Sequence, residues 1–316
     1  MRIVLPGALP DPREARELVP YLQKTAPTLF GWLEHARARI LDADPAGTGC
    51  TPFEFWQLRA RGFEPEDGQN FATGLGPLRA QALQNASIAP ADAVWLVELV
   101  HVSPARDGAA LLPAQELSIT PEQSVALFES VRAGFAEAGF TLREAGGDFW
   151  RVEPPAAFAP RCASPLLVSL TSVNDWWPQD MEARPWRKLV NETQMLWFDH
   201  PVNRQRYQQG LLPVNSLWLY GGGRGEQLRN APAGDDVQVH GSLLAFAVAQ
   251  DWGGWLAALS ELETRVFRPL AGRPMPGLVL TGRTRLAELE APGWNKWKQW
   301  LPGSREAWRK WWSPPD

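Results

Sequence analysis

The chain has 316 residues, 45% of them hydrophobic and 21% charged, with 31 Lys and Arg against 35 Asp and Glu for a net charge of −4. That length suffices for one large core or two ordinary ones, and the acidic balance argues against a surface built throughout for nucleic acid. The two cysteines, Cys50 and Cys162, are far apart and fit no metal or redox spacing, which is the usage of a cytosolic protein with reduced thiols.

In chain order, Arg2 to Leu5 predicts a short buried strand ended by Pro6-Gly7. Glu14 to Leu41 has helical spacing interrupted by Pro20 and Pro27. A loop follows with Cys50 and Thr51, then a short helix from Phe53 to Arg61. Val94 to Val102 is almost wholly apolar around Glu98 and His101 and reads as a strand. Thr120-Pro121-Glu122 opens a helix whose apolar face is Val125, Leu127, Phe128, Val131 and Phe135. Phe149 to Val152 is a further strand. Trp186 to Phe198 is a helix with Leu189, Val190, Thr193, Leu196 and Trp197 inward, stopped at His200-Pro201.

Asn215 to Gly225 joins an apolar run (Leu217 to Tyr220) to Gly221, Gly222 and Gly223. A buried strand needs the first half. The second half suits either a backbone turning beside a ligand at the carboxyl edge of a sheet or a tight turn alone. No dinucleotide fingerprint or P-loop is present, and no cofactor is implied. Asp236 to His240 and Gly277 to Thr281 are two more strands, separated by a helix from Trp252 to Arg265. That rhythm favours a parallel sheet.

The N-terminus lacks a basic region followed by an apolar core, and the longest apolar run, Leu243 to Ala249, is too short for a bilayer. We therefore expect a cytoplasmic protein with no transmembrane segment. Seventeen tryptophans point to aromatic-lined pockets, interfaces or a Trp-rich core. Six of them fall in the last 25 residues, among Lys and Arg. From Ala291 onward five Lys/Arg face Glu306 and Asp316, a local charge of +3, which leaves −7 for the rest of the net −4. Trp308, Trp311, Trp312, Arg309 and Lys310 are candidates for binding a partner. The tail permits contact with a protein, with single-stranded nucleic acid or with a membrane surface, or a helix laid on the core. We expect Trp294, Trp297 and Trp300 to be packed and part of Trp308 to Trp312 to be accessible.

The run Asn191 to Leu196, then His200-Pro201-Val202-Asn203, Arg206, Gly210 and Asn215 to Gly223, resembles the archaeal-type cofactor-independent phosphoglycerate mutases of the alkaline-phosphatase superfamily. Thr73 to Leu78, Asp92 to Val102, Val237 to His240 and Leu278 to Thr284 follow the order of that family's other motifs. The likeness is strongest to a bacterial offshoot labelled RpfE-type regulatory or mutase-like proteins. The resemblance implies an α/β fold: an alkaline-phosphatase-like sheet core flanked by helices, from residues 1–87 and 204–316, with an inserted α+β domain at 88–203.

It also implies two divalent metals and a Ser or Thr nucleophile, and here the chain departs from the family. Pro6-Gly7, Leu243 to Ala249, and Gly282-Arg283 stand where Asp and His ligands are expected, so no metal site is predicted. Leu75 and Leu96 replace two expected phosphate-binding arginines. Cys50 and Thr51 are weak nucleophile candidates. His101, His200, Asn203, Arg206, Asn215, Gly221, Gly222, Gly223 and Arg224 are candidates for binding a small anionic ligand, and His240 is a relic of the metal site. The expectation is a catalytically degenerate protein that binds or regulates, with a protein as its partner. The alternative is a phosphoryl-transfer or other hydrolytic enzyme with an altered site.

Overall fold

The computed structural model describes residues 1–81, 88–106, 108–144, 147–156, 158–230, 236–291 and 308–313. Its strands are β1 (Arg2–Pro6), β2 (Arg37–Asp42), β3 (Ala93–Ala105), β4 (Gly108–Leu112), β5 (Thr141–Glu144), β6 (Phe149–Glu153), β7 (Ser216–Arg224), β8 (Val237–Val239), β9 (Gly277–Thr281) and β10 (Arg285–Glu290). The chain is mixed α/β and divides into two compact units, Met1–Pro45 with Pro232–Asp316, and Ala46–Ala231.

The first unit is a five-stranded sheet in the order β2-β10-β9-β1-β8. β1 runs parallel to β8 and β9, while β10 is antiparallel to β9 and β2. β1 and β9 are buried along nearly their whole length, as continuous apolar runs in a parallel sheet require. The helices Pro12–Thr25, Pro27–His35 and Trp252–Leu262 supply Leu18, Leu22, Leu29, Leu33, Trp255 and Leu259 to the core. The helical spacing from Glu14 to Leu41 is thus two helices and a strand. Pro27 starts the second helix, since a helix's first turn needs no N–H there. Residues 37–42 are drawn into pairing along β10.

In the second unit, β3 is the common partner: β4, β6 and β7 all pair with it antiparallel, and β5 pairs with β6. The expected division set 88–203 beside 1–87 with 204–316, whereas the compact units divide after Pro45 and before Pro232. Val94 to Val100 is bonded along Ser216 to Gly223, so both stretches lie in one unit. The Pro121–Glu137 helix begins with a capping box between Thr120 and Gln123. It buries Leu127, Phe128, Val131 and Phe135, but Val125 is exposed. In the Arg184–Phe198 helix, Trp186, Leu189, Val190, Thr193 and Trp197 face inward and Leu196 faces out.

Most of the tryptophan serves the two cores. Trp150 meets Phe128 and Trp197 edge-on and donates its indole N–H to Ser124 Oγ at 2.9 Å; Trp197 donates to Ser130 Oγ at 3.0 Å. A buried indole needs such a partner. Among the described residues no helix is long and apolar enough to cross a membrane.

Candidate functional site

The strand that begins at Ser216 does not end at Tyr220. It continues through all three glycines to Arg224, because β3 pairs with it throughout. Trp95 lies opposite Gly221 and Val94 opposite Gly223, so Gly222 is the extra residue of a β-bulge. Gly221 and Gly222 have φ of +95° and +100°, values open mainly to glycine. A Cβ on Gly221 would lie 2.5 Å from Val94 O and 2.9 Å from Gly76 Cα, and one on Gly223 2.9 Å from Thr73 O. On Gly222 it would enter the Trp95 ring. The space beside the glycines is therefore filled, by Trp95 and by the backbone of Thr73 to Gly76. The expected carboxyl edge of a parallel sheet is here the end of a strand paired antiparallel with β3.

Beside this strand lies a buried charged cluster that the sequence reading missed. Arg79 Nη1 donates to Glu98 Oε2 at 2.7 Å and to Tyr220 OH at 2.9 Å, and the guanidinium lies 4.8 Å from the centre of the Tyr220 ring. Its Nη2 is 3.8 Å from Glu54 Oε1. Glu54 also accepts from Ser164 Oγ at 2.6 Å and from Thr51 N and Oγ1, each at 3.0 Å. Burial pushes the Glu98 carboxyl above its ordinary range despite Arg79. Burial would lower the Arg79 pKa, but Tyr220, Glu98 and Glu54 together raise it. The signals were present: Glu98 inside an apolar strand, and Thr51-Pro52-Phe53-Glu54 as a capping box.

Cys50 and Thr51 are buried beside this cluster. Thr51 Oγ1 accepts from Glu54 N and donates to Glu54 Oε2, so the hydroxyl is engaged as a helix cap. Burial first, and the nearby Glu54 second, hold the Cys50 thiol well above its ordinary pKa. Leu75 and Leu96 are both buried.

Four of the expected ligand residues converge, but on the protein's own backbone. His101 Nδ1 bonds Pro213 O at 2.9 Å, and Arg206 Nε donates to Leu212 O at 2.8 Å. Asn203 donates to Val214 O at 2.7 Å and accepts from Val214 N at 2.9 Å. Asn215 reproduces a strand pair with Val102, accepting from its N at 2.7 Å and donating to its O at 2.8 Å. Together they fix the 211–215 connection that delivers β7. Arg206 Nη1 donates to Gln123 Oε1 at 2.7 Å and Nη2 to Leu117 O at 2.5 Å, and the residue is fully buried. His200 caps the Pro201–Gln208 helix by accepting from Val202 N at 3.3 Å. Arg224, at the other end of β7, pairs with Glu66 and Glu226.

In the first unit, the carboxyl ends of β1, β8 and β9 are where a parallel sheet usually builds its site. Gly7 follows β1 with φ +77°, and a Cβ there would lie 2.6 Å from Leu244 Cα and 2.9 Å from Leu244 N. Trp255, fully buried, donates its indole N–H to Gly7 O at 2.9 Å, and Leu243 is also fully buried. After β9, Leu9 N bonds Thr281 O at 3.1 Å, and a Cβ on Gly282 would run into Leu9 O. His240, after β8, has a buried Nε2 without a partner, and burial lowers its pKa. Among the described residues no three His, Cys, Asp or Glu side chains are grouped as metal ligands, so the donor set does not fit a pair of divalent cations.

Of the tail, Trp294, Trp297 and Trp300 lie outside the described residues. Trp308 and Trp312 are buried in the first unit's core, Trp308 edge-on to Phe30 with ring centroids 5.6 Å apart. Trp311 is part-buried, and Arg309 and Lys310 are exposed. The accessible aromatic surface expected at Trp308 to Trp312 is thus reduced to Trp311, because its neighbours pack against the helices.

No family model matches the chain. Among solved structures it is similar to a cofactor-independent phosphoglycerate mutase from Thermoplasma acidophilum (TM-score 0.37, 15% identity, 92% of this chain and 90% of that one). It is also similar to the PH0037 protein from Pyrococcus horikoshii (TM-score 0.46, 13% identity, 92% and 87%). In sequence the chain resembles a probable 2,3-bisphosphoglycerate-independent phosphoglycerate mutase of Geobacter sulfurreducens, 24% identical over 160 residues that make up 49% of this chain and only 39% of that protein.

Proposed function

We propose that the chain is a catalytically degenerate mutase-like protein that works by binding, with a protein as its partner. The observation that carries this reading is that the carboxyl ends of β1 and β9 are closed. Leu243, Leu244 and Trp255 pack on Gly7 there, and among the described residues no three His, Cys, Asp or Glu side chains are grouped as metal ligands. A two-metal phosphoryl transfer needs several anionic ligands around an open position. The state of Cys50 and Thr51 supports the same reading, since one thiol is held protonated and one hydroxyl is engaged as a cap. A protein partner is favoured over nucleic acid because the described tail offers Arg309 and Lys310 with a single part-buried indole, little surface for base stacking.

The test is direct. The full chain, purified without chelators and assayed with manganese for interconversion of 2- and 3-phosphoglycerate, should show background rates and carry no stoichiometric transition metal. Turnover that disappears in Thr51→Ala would overturn the proposal, as would about two tightly held metal ions per chain.

A further inference from the structure

The Ala46–Ala231 unit contains a cavity of about 320 Å³ that the reading above does not use. Its size falls at the lower end of small-molecule sites. Gln69, Arg161, Asp175, Trp176, Trp177 and Asp180 line it. The walls are held from behind. Trp176 donates its indole N–H to Thr171 Oγ1 at 2.9 Å, and Trp177 lies against the Trp218 ring at 5.8 Å. Asn70, also on the wall, donates to Cys162 O at 3.0 Å. Asp180 Oδ1 accepts from Ala183 N at 2.8 Å. Such anchoring lowers the ordering cost of binding.

The charges are what select a ligand. Within the described residues the side chains of Arg161 and Asp175 have no hydrogen-bond or ion-pair partner. The cavity therefore presents one guanidinium and two carboxylates, together with two indoles. A simple anion would meet Asp175 and Asp180, a simple cation would meet Arg161, and an apolar ligand would leave all three unused. A ligand that carries both signs engages every group. A carboxylate suits the Arg161 fork, and an ammonium suits a carboxylate beside an aromatic wall. We propose that this cavity binds a free amino acid, its carboxylate on Arg161 and its ammonium taken by Asp175, Asp180 and the Trp176–Trp177 wall. The proposal does not depend on the closed edge of the other unit.

Saturation-transfer NMR and calorimetry on the full chain, with each of the common L-amino acids, would test it. Acetate and methylammonium serve as the two half-ligands. At least one amino acid should bind saturably where neither half-ligand does. Arg161→Gln and Asp175→Asn should each weaken that binding by about tenfold, equivalent to about 1.4 kcal/mol, with unchanged thermal melting. Absence of binding by every amino acid at about 10 mM, where even a millimolar site would be mostly filled, would overturn the proposal. So would retention of full affinity in both variants, or acetate alone binding as tightly as the amino acid.

Discussion

The carboxyl edge of β1, β8 and β9 and the cavity of the Ala46–Ala231 unit treat polar chemistry in opposite ways. At the ends of β1 and β9 the chain meets glycine, leucine and tryptophan, and the indole of Trp255 bonds the Gly7 carbonyl. Around the cavity, Arg161 and Asp175 are exposed and unpaired among the described residues. The same second unit also shows what an engaged polar group looks like, in Arg206 and in the Arg79 cluster. A charged side chain is thus no guide to a site until its partners are counted: all three Arg206 nitrogens donate to the protein itself, and among the described residues none of Arg161's does.

Arg206→Ala should have the largest effect. It removes a buried cation, strands the carbonyls of Leu117 and Leu212, and leaves Gln123 Oε1 with Thr120 N as its donor. We expect a loss of about 3–5 kcal/mol in urea unfolding, and little recovery in Arg206→Lys, which lacks the fork. A loss under about 1 kcal/mol would mean that Arg206 is free to serve a ligand after all.

Gly7→Ala comes next. The positive φ and the approach to the Leu244 backbone should together cost about 2–4 kcal/mol, read as a lowered melting temperature. A neutral result would indicate an open edge and weaken the contrast with the cavity.

A smaller effect concerns pH. The folded Glu98 pKa is raised above its ordinary 4.5, so the folded state binds the proton more tightly than the unfolded chain. The associated stability is fully present below pH 4.5 and is lost as pH rises through the raised folded value. Glu98→Gln does not titrate. The stability of the natural chain relative to this variant should therefore fall as pH rises across that window, measured by urea unfolding at successive pH values. A constant difference would place Glu98 in a more solvated setting. The smallest effect belongs to Arg161→Gln and Asp175→Asn, which should each change stability by less than about 0.5 kcal/mol. A larger destabilisation in thermal melts would show that these side chains support the fold.

Local physical signals explain what could be read from the chain alone. Gly277 to Thr281 is a strand over that same span because an uninterrupted apolar run between breakers has few other fates. The Pro121–Glu137 helix was legible from Thr120-Pro121-Glu122, a start signal that acts within one turn. The likeness to mutase-like proteins also came from residues near one another in the sequence. What the sequence could not determine lay across space. Gly221, Gly222 and Gly223 read equally as a ligand loop or a turn, and only Trp95, Thr73 and Gly76, over a hundred residues earlier, decide that they are sites of close packing. Residues 37–42 look like a helix tail until β10 offers them backbone partners. His101, Asn203, Arg206 and Asn215 are residue types that bind ligands as readily as backbone, so tertiary structure alone assigns their partners. Periodicity and capping act over a few residues, whereas hydrogen-bond satisfaction and steric contact depend on which distant segments meet.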